Sequence, residues 1–169
     1  MDTFFEQLIT IKKTPKDLAL LTLIWLTALF IVFLLFTILF SPFSLILTIG
    51  IFFGAYWLSS KLNVEFEYII TNGTLDIDKI TNKNSRKRIL SLELSNVKRL
   101  EKATPEFVNR VDKKKTLIAC NINSDVAYYL SAERSGKSEA NLIFAPDKRL
   151  QSAIEKFAPK YLTNNLFKD

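Results

Sequence analysis

The feature that most constrains this chain is a stretch in its first half, residues 18–60, that contains no charged side chain. Residues 18–40 read LALLTLIWLTALFIVFLLFTILF. As a helix rising about 1.5 Å per residue they would span roughly 34 Å, enough to cross a bilayer core of about 30 Å. Ser41-Pro42 interrupts the run, and residues 43–60 continue it near the lower end of the spanning length. The sequence therefore predicts a two-helix transmembrane hairpin, residues 18–40 and 43–60.

A secretory signal peptide is the alternative interpretation of the first apolar run. Its apolar core would be about 7–15 residues long and would end at a small-residue cleavage site. Residues 18–40 form a longer run, and no such site separates it from the second one. The transmembrane hairpin is therefore the favoured interpretation.

The distribution of positive charge predicts how this hairpin is oriented. Lys12, Lys13 and Lys16 precede the first span and Lys61 follows the second, whereas the turn between the spans is uncharged. Because flanking lysines and arginines are retained on the cytoplasmic side, we expect a multi-pass protein with both termini in the cytoplasm. The single cysteine, Cys120, cannot form an internal disulfide, which fits a reducing compartment.

Residues 1–17 are expected to form a cytoplasmic N-terminal amphipathic segment. Phe4, Leu8 and Ile11 fall on one helical stripe. This spacing favours a short helix that lies in the membrane interface. A frayed tail is the alternative.

After Lys61 the hydrophobic period changes to two. Apolar and acidic residues alternate through FEYIITNGTLDIDKI, and the Asn72-Gly73 pair in its middle predicts a β-hairpin. Further strands are expected over RKRILSLEL, over residues 97–102, and three times within residues 116–145. One amphipathic helix follows Pro146 and is bent or ended at Pro159, leaving residues 163–169 as a tail. The fold class is α+β.

This order of elements resembles the pleckstrin-homology-like (PH-like) fold. In that fold antiparallel strands form a β-barrel or sandwich that is capped by a C-terminal α-helix. Together with the two spans, the segments FEYIITNGTLDIDKI and RKRILSLEL and the final helix make the chain similar to small bacterial two-span membrane proteins with a C-terminal bacterial PH-like domain, a family of unknown function. The resemblance implies a cytoplasmic PH-like domain over residues 62–162, located at the bacterial cytoplasmic membrane.

A basic cluster is the main candidate site. It comprises Lys79, Lys83, Arg86, Lys87 and Arg88. The first strand begins beside the end of the second span, so the loop after the second strand should return to the headgroups and make non-specific contact with anionic lipids. An ordinary solvated loop is the alternative. Eukaryotic PH domains have a basic headgroup-binding loop where this chain has only Asn72-Gly73, so we do not expect a specific lipid site.

The second apolar run contains a GxxxG spacing, Gly50 and Gly54, which would let another helix approach closely. Packing against the first span is the favoured interpretation. The alternative is that the glycines form a homo-oligomer contact.

Catalytic and metal-binding patterns are not found in the sequence. It has no histidine, and Arg-Ser-Gly-Lys-Ser at residues 134–138 lacks the spacing of a phosphate-binding loop. The alternating carboxylates Glu65, Glu67, Asp76 and Asp78 are interpreted as solvated strand faces rather than as a cation site. We expect no enzyme activity, cofactor, metal or nucleic-acid partner.

Three functional hypotheses remain at this point. The first is a non-enzymatic, membrane-anchored PH-like module that scaffolds or recruits an unidentified protein partner. The second is a sensor of anionic lipid at the membrane surface. The third is an accessory subunit of a membrane complex or transporter, with Gly50 and Gly54 as its packing surface.

Overall fold

A computed structural model describes residues 3–39, 41–121, 126–134, 137–164 and 166–167. The chain divides into two compact units. One, the hairpin unit, contains Lys12–Val64 together with Thr81–Ser85. The other, the sheet unit, contains the rest of the described chain and therefore both sheets, apart from the strand ends at Val64, Thr81 and Ser85.

Two long helices form the hairpin unit, α1 (Pro15–Ile38) and α2 (Phe43–Ser60). Helix α1 begins at a capping box, in which the Thr14 side chain accepts from the Asp17 backbone N–H and the Asp17 carboxylate accepts from Thr14. Both helices are long and apolar enough to cross a membrane, with mean hydropathies of 2.8 and 1.6, and only 6% and 17% of the residues in their most apolar windows are buried. The predicted helices are confirmed, and their apolar surface is largely exposed.

Buried small residues and one aromatic pair, not the glycines, mark the contact between these helices, in which the Trp25 and Phe52 rings lie 6.3 Å apart. Ala28 of α1 is buried, as are Ser44 and Ala55 of α2. A Cβ added at Gly50 or Gly54 would meet nothing within 4 Å. The favoured interpretation, in which these glycines pack against the first span, is therefore wrong. Alanine and serine side chains already permit the close approach, which leaves the glycine face of α2 open.

This geometry predicts opposite results for two leucine substitutions in α2. Gly50→Leu should leave the thermal unfolding midpoint in detergent unchanged or raised, because the added side chain enters open space and glycine is a poor helix former. Ala55→Leu should lower the midpoint, because overpacking a buried position costs about 1–3 kcal/mol. Equal midpoints for the two variants would contradict the packing described here. A larger assembly for the wild type than for Gly50→Leu would support the oligomer alternative.

The first sheet has four strands in the order β1-β2-β3-β4. They are β1 (Phe4–Thr10), β2 (Val64–Thr71), β3 (Thr74–Thr81) and β4 (Ser85–Glu93). Strands β1 and β2 are antiparallel, in a register that runs from Phe4 opposite Thr71 to Thr10 opposite Glu65. The helical hairpin is thus an insertion between two neighbouring strands of one sheet.

The predicted N-terminal helix is therefore wrong, because the segment is strand β1. Exposed and half-buried residues alternate along it, with Phe5, Gln7 and Ile9 facing inward. This seven-residue segment has apolar side chains at both odd and even positions, so its pattern fits a helix as well as a strand. Pairing with β2, far along the chain, makes it a strand. The domain that was predicted to begin at residue 62 consequently also includes β1.

The turn between β2 and β3 confirms the predicted hairpin. Asn72 and Gly73 have φ angles of 49° and 89°, the left-handed conformation that an Asn-Gly turn requires. Strand β4 agrees with the strand predicted over RKRILSLEL to within one residue at each end.

A 3₁₀ turn (Leu94–Asn96) leads into the second sheet. Its elements are β5 (Val97–Lys102), helix α3 (Pro105–Arg110), β6 (Thr116–Ile118), β7 (Tyr128–Arg134) and β8 (Lys137–Phe144). The strand order is β5-β7-β8-β6, and β6 pairs with β8 in parallel. The expected antiparallel barrel or sandwich is therefore confirmed only in part, because the described strands form two sheets rather than a closed barrel, and β6 joins the free edge of β8 in parallel. Two of the three strands predicted within residues 116–145 were expected over residues 116–122 and 125–132, and their residues 122 and 125 lie outside the described residues.

Tyr68 of β2 joins the two sheets. Its fully buried hydroxyl donates to the carbonyl of Ala119 at 2.6 Å and accepts from the backbone N–H of Ala145, and its ring meets Phe144 edge-on at 5.7 Å. Burial raises the pKa of Tyr68, so the hydroxyl keeps the proton that it donates.

The chain closes with helix α4 (Lys148–Phe157) and the short α5 (Lys160–Thr163). Asp147 caps α4, and Leu150, Ala153 and Ile154 bury its apolar face. A Cβ at Gly73 would lie 3.1 Å from the Phe157 ring, so this end of α4 rests against the β2–β3 turn. The predicted terminal helix and its interruption at Pro159 are confirmed, and Tyr161, beyond the interruption, is exposed.

Candidate functional site

Carboxylates and arginines of the first sheet form an ion-pair cluster, consisting of Glu67, Asp76, Asp78, Arg86 and Arg88. Arg86 Nη2 lies 2.7 Å from Glu67 Oε1. Arg88 reaches two carboxylates, Asp76 Oδ2 at 2.7 Å and Asp78 Oδ1 at 3.0 Å. The three acids are buried, whereas both arginine side chains are about half exposed.

This ion-pair cluster corrects the interpretation of Glu67, Asp76 and Asp78 as solvated. Their side chains need charge partners because an unpaired buried carboxylate is costly. Burial raises the pKa of Glu67, as does a hydrogen bond with Glu6, while Arg86 opposes the rise. Among the described residues no group of three His, Cys, Asp or Glu side chains is placed to hold a metal ion.

The five residues of the predicted basic cluster separate into two kinds. Arg86 and Arg88 hold the buried carboxylates of the sheet. Lys79, Lys83 and Lys87 have exposed side chains. The sequence signal for the pairing of Arg86 and Arg88 was the order of two acidic strands followed by a basic strand, because opposite charges on adjacent strands pair across a sheet.

Lys83 lies in the turn between β3 and β4. Asn82 and Lys83 have φ angles of 53° and 57°, so two consecutive residues other than glycine adopt the left-handed conformation. The Asn82 backbone N–H donates to the carbonyl of Asn63, just beyond α2, at 2.8 Å. This bond ties the turn to the end of the helical hairpin, and both residues belong to the hairpin unit.

Cys120 is the one thiol in the sequence and lies in a buried cluster with Ala103, Val108, Ala127 and Ile143. Burial raises the pKa of the Cys120 thiol to about 11, so it stays protonated near neutral pH. The cysteine packs as a small apolar side chain.

A groove of about 680 Å³ opens in the sheet unit. Its walls come from β1, from the start of β7, from the β8–α4 connection and from one side of α4; they include Gln7, Tyr128, Asp147, Gln151, Ser152 and Glu155. The groove is of ligand-binding size and carries mixed polar and apolar side chains.

Gln7 anchors one side of this groove. Its side-chain amide donates to the carbonyl of Ala145 at 3.1 Å, and its oxygen accepts from the Asp147 backbone N–H at 2.8 Å. Sequence reasoning missed the groove because these residues lie about 140 positions apart. Only the period-two placement of Gln7 between Phe5 and Ile9 indicated an inward-facing polar side chain.

Comparison with known protein families identifies a match over almost the whole chain. The family model described as Bacterial PH-like domain (DUF6106) matches residues 1–164, a range that includes the helical hairpin and both sheets. No curated protein and no solved structure matches the chain.

Proposed function

The chain belongs to the family of bacterial PH-like domains, DUF6106, and from this we propose that it is a non-enzymatic, membrane-anchored module that recruits a protein partner at the cytoplasmic membrane. The observation that carries the proposal is the insertion of the helical hairpin between β1 and β2. Because the anchor interrupts the PH-like domain itself, the domain cannot leave the membrane while the hairpin spans it.

The pairing of β1 with β2 also supports the proposed orientation. Thr10 and Glu65, the last and first paired residues on either side of the hairpin, face each other in the sheet. If both helices span the bilayer, the two chain ends lie on one side of it, and the flanking lysines favour the cytoplasm.

The groove supports a binding role for the domain. A domain that is held permanently at the bilayer gains little localisation from a lipid ligand, so a protein ligand explains a separate groove better. The exposed polar side chains of Ser152 and Glu155 beside Gln151 would give a polar rim to such an interface.

The side chains with catalytic potential favour a binding protein over an enzyme. Cys120 is buried and protonated. Asp76, Asp78 and Glu67 are paired with arginines. In the described part of the chain these groups therefore stabilise the fold.

The test is co-purification of the tagged full-length protein from its own host in native nanodiscs, followed by mass spectrometry. We expect a reproducible protein partner that is lost from the double variant Ser152→Arg/Glu155→Lys. Lys156→Glu is the matched control, since it changes an exposed charge of α4 outside the groove. A partner retained equally by all three proteins would contradict the role of the groove.

Two other outcomes would favour the alternative functions. Recovery of anionic lipid with no protein would favour the lipid sensor. A partner that survives the groove variant but is lost from Gly50→Leu/Gly54→Leu would favour a subunit of a membrane complex that packs on the open glycine face of α2.

A further inference from the structure

Two turns of the first sheet each contain two consecutive residues with positive φ, but they differ in sequence and in length, with two residues between β2 and β3 and three between β3 and β4. The β2–β3 turn uses Asn72-Gly73, with φ angles of 49° and 89°. The β3–β4 turn uses Asn82-Lys83, with φ angles of 53° and 57°. Glycine adopts this conformation without strain, whereas a side chain with a Cβ is strained there. A lysine at the second position therefore disfavours this turn conformation, and the presence of its side chain there needs another explanation.

The location of Lys83 supplies that explanation. The bond from Asn82 to Asn63 holds its turn beside the end of α2, two residues beyond Lys61. Lys61 Nζ lies 3.3 Å from the ring centroid of Trp57, which is itself half exposed. Tryptophan near the end of a spanning helix marks the level of the lipid headgroups.

Two further lysines lie at the same end of the hairpin. Only four positions separate the end of α1 from the start of α2, and the two helices contact each other, so the start of α1 and the end of α2 lie at the same end of the hairpin. Lys13 and Lys16 are exposed at that start. A cation in the first turn of a helix is disfavoured by the helix dipole, so Lys16 does not stabilise α1.

Lys83 also differs from the arginines that follow it. Arg86 and Arg88 are bound to buried carboxylates. Among the described residues no ion pair involves Lys83, and its side chain is exposed. Its charge is therefore available to a ligand that approaches this end of the hairpin.

We propose that Lys83, together with Lys13, Lys16 and Lys61, forms a lysine collar that binds the phosphates of anionic lipid headgroups around the helical hairpin. This inference rests on the proposed insertion of the hairpin in a bilayer. In this proposal the strained β3–β4 turn and the helix ends contact lipid, whereas Arg86 and Arg88 stabilise the first sheet through its buried carboxylates.

Trp57 provides a local probe of the lysine collar. The full-length Trp25→Phe protein has Trp57 as its one tryptophan. It is reconstituted in nanodiscs that contain both phosphatidylglycerol and phosphatidylcholine. In one sample the acyl chains of phosphatidylglycerol are brominated, and in the other those of phosphatidylcholine, because bromine quenches a tryptophan that it contacts. The ratio of quenching by the two lipids measures the preference for the anionic lipid at this end of the hairpin.

In the Trp25→Phe background we expect a preference for phosphatidylglycerol that Lys83→Gly lowers roughly two- to five-fold, the range for one interfacial lysine, and that Lys83→Arg preserves. Lys87→Gln, which removes an exposed charge of β4, should leave the preference unchanged. Lys83→Gly should at the same time raise the thermal unfolding midpoint, because it relieves the strained turn. Weaker lipid preference in a more stable protein cannot be attributed to misfolding.

The other outcomes separate the lysine collar from the anchor. Quenching of Trp57 with no effect of Lys83→Gly on lipid preference overturns the lysine collar and leaves the membrane anchor standing. Loss of the preference in Lys87→Gln instead assigns lipid contact to β4. Absence of quenching by either lipid overturns the insertion of the hairpin, and with it the proposed function.

Discussion

A chain in which a two-residue Asn-Gly turn replaces residues 11–64 is expected to fold as a soluble PH-like domain. The replacement removes both apolar helices and links Thr10 to Glu65 through the turn alone. These two residues are already antiparallel partners, so a tight β-hairpin turn can connect them without changing the register. The Thr10 hydroxyl also donates to Glu65 Oε1 at 3.2 Å. The expected product is monomeric in the absence of detergent and unfolds cooperatively.

The same structure predicts that a chain beginning at residue 62 fails to fold. It lacks β1, whose Phe5 and Ile9 are half-buried and whose Gln7 makes two hydrogen bonds to the β8–α4 connection. Burial of two such side chains and two net hydrogen bonds is worth about 5 kcal/mol in total. That loss is comparable with the whole stability of a small domain, about 5–15 kcal/mol.

Circular dichroism and thermal unfolding of the two soluble chains test this prediction. Adding a synthetic peptide of residues 3–11 to the chain that begins at residue 62 is an informative control, because β1 should restore structure in trans. Cooperative unfolding of that chain without the peptide would show that β1 is dispensable. Aggregation of the Asn-Gly chain would show that the sheet unit needs its inserted helices to fold.

Local signals were sufficient for several elements of this fold. The absence of charge over residues 18–60 predicted both long helices, because no packed core of a small domain requires such a run. Asn72-Gly73 fixed its hairpin, since the left-handed conformation that it needs is a property of those two residues alone. Helix α4 was predicted from its spacing and ends before Pro159.

Non-local pairings explain the elements that were not predicted. Strand β1 is determined by β2, which lies beyond the hairpin, and β6 is determined by the free edge of β8. The groove depends on Gln7 meeting residues 145–147, and no local pattern encodes that meeting. The basic cluster was visible in the sequence, but its division into buried ion pairs and exposed lysines depends on which strands are neighbours.

Removal of Arg88 should destabilise the sheet more than any other single charge change in the predicted basic cluster. Arg88→Met keeps the length of the side chain but leaves Asp76 and Asp78 buried without their cation. Breaking a buried pair costs about 3–5 kcal/mol. Because the Arg88 side chain is half exposed and partly screened by water, we expect a smaller loss than this, but one larger than a substitution of any exposed lysine of the cluster gives.

Two matched variants make the origin of this effect testable in detergent by chemical unfolding. Lys87→Met, one residue away and exposed, should change stability by less than about 0.5 kcal/mol. The triple variant Arg88→Met/Asp76→Asn/Asp78→Asn should recover most of the lost stability, because neutral amides no longer require a cation. The amide oxygen introduced at position 76 can still accept from the Ser91 hydroxyl, as the Asp76 carboxylate does at 2.5 Å.

Equal destabilisation by Lys87→Met, or a triple variant no more stable than Arg88→Met, would mean that Arg88 acts through packing or surface charge rather than through its two buried carboxylates. Recovery would also explain why reversing the charges of residues 86–88 cannot serve as a test of lipid contact. We expect the sheet of such a variant to unfold whether or not lipid is contacted, because the reversed charges at positions 86 and 88 face buried carboxylates.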